Sequence, residues 1–340
     1  MNYKYVGKGL PRVDAFEKIT GMTKFVADME APGMLYGKFL RSTHAHARIL
    51  SIDTKRAEKY PGVVAAITGQ AFPYRMGLYV RDKMVLAKDK VRWAGEPVAA
   101  VAAESEEAAE EAIGLIDVKY EPLKPVFDVN EALKTGAPLV HEDLAQYEHS
   151  PVFTPVPGTN IANIFKIRKG NVEDGFKHAE TIVENEFSMP QVSHGAMEPR
   201  ACIAQYFPDG STEVWTCAQS PFAVRYILSH ALGIPLQKIS VHVPHVGGGF
   251  GGKAGINFEP LVVLLSKFAG GRPVKLLLTR EEEFTTAPLR QGFYAWIKTG
   301  VDANGKITAE QMKYIYDAGA YADYGVNIGR AAGYSCTGPY

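Results

Sequence analysis

The sequence has no excess of charge: 37 basic and 37 acidic residues balance among 340. Without a basic surplus there is no electrostatic case for nucleic acid or an anionic membrane as partner. Cysteine is scarce. Cys202, Cys217 and Cys336 form no CxxC pair, and three cannot all be bridged. They read as reduced thiols of a cytoplasmic protein and carry no iron–sulfur or structural zinc signature. Apolar runs such as Leu261 to Leu265 are far shorter than a bilayer span. The opening residues Met1-Asn2-Tyr3-Lys4-Tyr5 lack the apolar stretch of a secretory leader.

What is present is a globular composition, 46% apolar, in a chain long enough for two domains. Strand and helix signals alternate, which predicts an α+β (mixed α/β) fold. Residues 1–20 read as a polar lead-in and 21–125 as a small α/β domain. In the latter, Leu35 to Leu40 alternates as a half-buried strand does. Val63 to Ile67 and Val98 to Ala102 are expected as buried strands. Ser105 caps a helix whose apolar positions are Ala108, Ala109, Ala112, Ile113 and Ile116. Residues 126–165 are rich in proline and glycine and read as a linker laid along the surface.

From 166 to 340 a second domain is expected. Strands at 181–188 and 201–207 lead to a hairpin turn at Pro208-Asp209-Gly210-Ser211. Ser220 and Pro221 open a helix that Gly233 and Pro235 end. A second hairpin turns at Asn304-Gly305. His44 and His46 alternate as on one strand face and read as packing or surface histidines. Arg280-Glu281-Glu282-Glu283 reads as a solvated helix start.

The most distinctive stretch is Val246-Gly247-Gly248-Gly249-Phe250-Gly251-Gly252-Lys253, with five glycines in eight residues between strand-like and helix-like runs. Bare amides on such a loop can cradle an anionic group. Gly247, Gly252 and Lys253 satisfy the GxxxxGK spacing of a phosphate-binding loop. Ala254, however, stands where that motif needs a magnesium-binding hydroxyl. A dinucleotide GxGxxG reading lacks its acidic residue about twenty positions on.

The loop also resembles that of the molybdenum-cofactor subunits of the xanthine dehydrogenase/aldehyde oxidase family. Four further segments are similar to that family in the same order: Arg41 to Ile49, Gly95-Glu96-Pro97 with the acidic Ala-rich helix, Met197-Glu198-Pro199-Arg200, and Thr216 to Pro221. Together they cover about residues 6–340, and their combination is far more specific than any one alone. The resemblance implies that residues 21–125 are the family's α/β hammerhead domain. Residues 166–340 would be the first half of its molybdopterin-binding domain, incomplete at the C-terminus.

It further implies a molybdopterin cofactor carrying molybdenum, possibly as the cytosine dinucleotide, held without side-chain ligands to the metal. Gln219 falls on the glutamine whose amide N–H reaches the metal's oxo group. Phe250 and Gly251 fall where backbone approaches the metal and the pterin, with Gly249 and Gly252 completing the cofactor loop. Glu198 belongs to a structural segment of the family. Arg290 matches an arginine that orients anionic or carbonyl substrates; Gln291 departs from the usual histidine after it. Ala254 stands where purine-oxidising members carry glutamate, which counts against xanthine as substrate.

The implied activity is hydroxylation of an N-heterocycle, an aldehyde or an aromatic acid derivative with water as the oxygen source. The catalytic base of the family, a glutamate, is expected beyond residue 340, so no catalytic residue is assigned in this chain. Electrons would pass to [2Fe-2S] and FAD centres on partner subunits of a cytoplasmic hetero-oligomer. The rest of the binding region is expected on a second polypeptide, as in split-subunit members, unless the chain is a truncated product. A non-catalytic scaffold remnant is the alternative, and a P-loop-like nucleotide-binding protein the weaker one.

Overall fold

The unbroken apolar run at 97–103 becomes an interior strand because both of its faces are covered. The computed structural model describes residues 3–72, 74–322, 324–336 and 338. After a short helix α1 (Ala15–Ile19), the first region builds β1 (Leu35–Arg41), β2 (Ala47–Asp53), α2 (Lys55–Glu58) and β3 (Val63–Thr68). Short strands β4 (Arg75–Met76), β5 (Lys83–Met84) and β6 (Lys90–Val91) follow, then β7 (Pro97–Ala103), α3 (Glu106–Ile113) and β8 (Asp117–Pro122). In β7, Ala99, Val101 and Ala103 pack with Ala109 and Ala112 of α3. Ala100 and Ala102 face the main core instead. The period of two thus feeds two layers from one strand. β3 is less buried than expected, with Val64 39% exposed at the sheet edge.

The second region adds α4 (Val129–Ala132), α5 (Val172–Lys177), β9 (Thr181–Met189), β10 (Ala201–Tyr206), β11 (Thr212–Thr216), α6 (Pro221–Leu232) and β12 (Ile239–His242). After the glycine loop come α7 (Glu259–Phe268), β13 (Val274–Leu277), α8 (Arg280–Thr286), β14 (Gly292–Val301), β15 (Ile307–Asp317) and α9 (Gly325–Ser335). One seven-stranded sheet, ordered β12-β11-β10-β13-β1-β7-β3, draws strands from both regions. The join is parallel, with Leu35 beside Val274 and Tyr36 beside Lys275. Two separate three-stranded sheets are ordered β15-β14-β9 and β6-β2-β8.

α7 is the keystone of the core: Leu261, Leu264 and Leu265 are each at most 2% exposed. Truncating one of them to alanine costs about 2–5 kcal/mol. Its burial also fixes where the glycine loop must end.

Three expectations need correction. The 126–165 segment is not simply laid on the surface, because Leu144 and Phe153 join Val80, Ala322 and Val326 in a core cluster. His141 is buried there too, with Nε2 2.7 Å from the Ala320 carbonyl. His44 and His46 lie in the bend between β1 and β2, not on a strand face. They are packing residues: His44 leans on Tyr120, and His46 Nδ1 meets the Lys124 carbonyl at 2.9 Å. The 280–283 cluster is not a solvated helix start. Glu283 is 5% exposed and paired with Arg200, while Arg280 donates to the Ala196 and Met197 carbonyls. Sequence proximity of like charges hid partners that lie about eighty residues away.

The Gly95-Glu96-Pro97 and Arg41-Ser42 segments interlock. The Ser42 amide donates to Glu96 O, and Gly95 N donates to Ser42 O at 2.7 Å. The Glu96 side chain accepts from the Arg92 amide and from the Tyr321 hydroxyl, which crosses from the second region. Burial raises the Glu96 carboxyl above its ordinary range even so.

Candidate functional site

The loop between β12 and α7 is a chain of close backbone contacts. Gly252 N donates to Gly249 O at 2.8 Å, and Ala254 N donates to Gly251 O at 3.1 Å. Phe250 has φ 51°, the one positive φ outside glycine among the described residues, and is 73% exposed. An aromatic held in the left-handed region carries strain, which such loops store where function needs a fixed shape.

The glycines are required for different reasons. A Cβ at Gly247 would stand 2.5 Å from Glu198 Cβ, at Gly249 2.4 Å from Gln219 Oε1, and at Gly252 2.7 Å from His194 Nδ1. These three are excluded from bearing side chains by the protein's own packing. Gly251 differs: its φ is 89° and nothing lies within 4 Å of a Cβ built there. Gly251 and Phe250 are therefore the open part of the loop.

Gln219 stands beside them, just before α6. Its Oε1 accepts from Gly251 N at 3.0 Å and from Lys253 N at 3.2 Å. Its own backbone N–H reaches Lys253 O at 2.9 Å. Two backbone donors on one side-chain atom require that atom to be the oxygen. The NH₂ end is thereby left without a hydrogen-bond partner among the described residues.

Behind the loop lies a buried lattice of charge. Lys253 Nζ is 2.8 Å from Glu198 Oε2 and 2.9 Å from Glu198 O. Arg200 pairs with Glu283 and also donates to the Gly252 carbonyl. Glu259 accepts from Thr216 at 2.9 Å and from Asn257 N at 2.7 Å. Glu198 is structural, as the resemblance implied. Burial overturns the phosphate-loop reading: a lysine 2% exposed and spent on Glu198 is not available to a nucleotide. Burial also pushes the Cys202 and Cys217 thiols up, which disfavours the reactive thiolate.

Arg290 is exposed, and its guanidinium has no hydrogen bond to the described residues. Its backbone is bridged to Val192, with Arg290 N donating to Val192 O at 2.9 Å. Sequence reasoning passed over His194, two residues further. Its ring packs on Gly252 and hydrogen-bonds the Pro288 carbonyl. Burial, reinforced by Arg200 and Arg290, lowers its basicity. His194 thus joins the Arg290 segment to the glycine loop. Ala254 is half-buried, and its carbonyl accepts from Tyr324 at 3.4 Å. Gln219, Gly249, Phe250, Gly251 and Gly252 are contiguous in space. Arg290 is not bonded to them, but its charge acts on His194, which packs on Gly252.

The two sequence segments match two family descriptions. Residues 153–340 match the molybdopterin cofactor-binding domain, and residues 20–124 the a/b hammerhead domain of aldehyde oxidase and xanthine dehydrogenase. The chain belongs to the xanthine dehydrogenase/aldehyde oxidase family. It is 33% identical to the nicotinate dehydrogenase large molybdopterin subunit of Eubacterium barkeri, over all of this chain and 76% of that one. It is 36% identical to a probable xanthine dehydrogenase subunit of Bacillus subtilis, over 97% of this chain but 42% of the relative. Its fold superposes on carbon monoxide dehydrogenase from Oligotropha carboxidovorans with a TM-score of 0.84 and 31% identity, over 92% of this chain and 40% of that one. The chain thus spans less than half the length of two of these three proteins.

The family's cofactor fits the residues present. The Gly251–Phe250 backbone is open where a flat ligand would lie, and the Gln219 amide would have donors to offer an oxygen of it. Among the described residues no group of three or more histidine, cysteine or carboxylate side chains could hold a metal ion. No helix among them is long and apolar enough to cross a membrane.

Proposed function

We propose that this chain forms one wall of the cofactor site in a molybdenum hydroxylase acting on an N-heterocycle, an aldehyde or an aromatic acid derivative. The single observation that carries the reading is Gln219, an exposed side chain whose oxygen is consumed by Gly251 and Lys253, so that its amide N–H groups have no partner among the described residues. Bound there, a molybdenum-bearing pterin would supply the two-electron oxidation with water as oxygen source. Gln219 would hold an oxygen of that group by donation, and Gly251 and Phe250 would pack along it. The fixed loop would exclude solvent from its rear face. Arg290 would orient a carboxylate or ring carbonyl of the substrate, using its planar fork. Ala254, in place of a hydrogen-bonding side chain, counts against xanthine itself as substrate.

The reading includes a cytoplasmic hetero-oligomer in which further polypeptide completes the binding region and partners carry [2Fe-2S] and FAD. It also keeps 21–125 and 166–340 as the two domains and allows the cytosine dinucleotide form of the pterin. The similarity to a nicotinate dehydrogenase subunit supports an N-heterocycle first. Metal and pterin analysis of the natively purified assembly tests this. Stoichiometric molybdenum with oxidation of nicotinate-like heterocycles is expected. An assembly with every partner present but no molybdenum would defeat the proposal and leave a scaffold role.

A further inference from the structure

All nine residues of β9 are exposed, so neither face of the strand is covered. Among the described residues it pairs with β14 alone, in continuous register from Thr181–Val301 to Met189–Phe293. A strand of that length presents roughly 30 Å of edge, a row of backbone donors and acceptors open to another strand. Exposed edges are ordinarily guarded by lysine, proline or a bulge. β9 has none of these, and its only charged side chains, Glu184 and Glu186, lie on one face. Instead Ile182, Val183, Phe187 and Met189 are 47%, 50%, 53% and 58% exposed. Val183, Phe187 and Met189 share one face, where the register sets Thr299, Ala295 and Phe293 beside them. The opposite face carries Glu184 and Glu186, with Glu184 accepting from Trp296 Nε1 at 2.8 Å.

The side chains discriminate between occupants. A second copy pairing antiparallel over the whole strand would centre on Asn185. It would then set Glu184 of each copy against Glu186 of the other, an arrangement that like charges disfavour. A strand with basic residues opposite those glutamates and apolar ones opposite Val183 and Phe187 fits instead. The family's large subunits supply a source, since the chain spans 42% of the Bacillus subtilis relative.

We propose that β9 accepts a β-strand from the polypeptide carrying the remainder of the molybdenum-binding region, extending the β15-β14-β9 sheet. This rests on the assembly put forward above. The consequence reaches the site, because His194 and Glu198 lie five and nine residues beyond Met189. Docking at β9 would fix the start of the segment that packs behind the glycine loop.

Hydrogen exchange of the natively purified assembly, compared with the 340-residue chain alone, tests the proposal. Amides of 181–189 should slow by about tenfold or more in the assembly. Phe187→Asp should weaken association with the second polypeptide by about tenfold or more while leaving the melting temperature of the chain alone unchanged. Val183→Lys should act in the same direction. Equal exchange of 181–189 in both samples overturns the proposal, as does protection of the chain alone that rises with its own concentration. Molybdenum is measured in the same samples. Protection without molybdenum upholds the surface and defeats the cofactor reading; molybdenum without protection does the reverse.

Discussion

One carboxylate oxygen, Glu198 Oε2, accepts both from Lys253 Nζ at 2.8 Å and from Gly247 N at 2.7 Å. The first glycine of the loop and the lysine that follows its last are thereby tied to one buried point. The loop's shape is set from behind, without reference to any ligand. Such a pair contributes little net stability against apolar replacements of equal shape, but breaking half of it leaves a bare buried charge.

Lys253→Met should therefore lower unfolding stability by about 3–5 kcal/mol. The double variant Lys253→Met with Glu198→Gln should lose less than Lys253→Met alone. Denaturant midpoints of the three proteins check this.

Gly249→Ala and Gly251→Ala should part company. The first drives a methyl into Gln219, 2.4 Å away, and should strip molybdenum from the assembly. The second meets open space and strains only the backbone, costing about 1 kcal/mol. Metal content and melting temperature, measured together, separate displacement of Gln219 from simple destabilisation. Equal molybdenum loss in both would contradict the assignment of the clash.

Gln219→Glu keeps an oxygen for Gly251 N and Lys253 N but removes the amide N–H donors. Gln219→Ala removes both and leaves two amides unsatisfied, at about 1 kcal/mol. The glutamate variant should hold its melting temperature and lose activity in the assembled enzyme, whereas the alanine variant should lose some of each. An unchanged rate in either variant would refute the donor role of Gln219.

His141 supplies a pH dependence. Burial, with the nearby Arg92 charge, lowers its pKa to about 3. The folded chain therefore holds it neutral while the unfolded chain protonates it near its ordinary pKa of about 6.5. Between those values the unfolded state binds the extra proton, so stability is full above about 6.5 and falls on acidification towards 3. The slope from this group reaches at most about 1.4 kcal/mol per pH unit. His141→Gln should flatten the acid limb of a stability–pH curve; an unaltered limb would remove His141 from the account.

The elements were legible where the signal is local. The β14–β15 hairpin at Asn304-Gly305, the Ser105 cap on Ala108 N and the 12-residue α6 ending at Gly233 follow from turn, cap and period. Gln219 and the glycine loop were legible through motif order. His194 was not: a single histidine in an irregular segment gives no pattern. Nor were the buried positions of the 126–165 segment, because proline and glycine signal a break in regular structure without saying how deep the chain then runs.

The sequence by itself determined the α+β class, the sites of turns and helix ends, and a loop able to present bare backbone. These depend on residues within a few positions of one another. Only the tertiary structure decided that Lys253 faces Glu198, 55 residues away, and that the Arg200 segment takes Glu283, 83 residues on. It alone decided that three of the glycines answer to the protein's own side chains. Charge pairs and steric exclusions of that kind are set by which strands lie side by side, and that order is a property of the packed core.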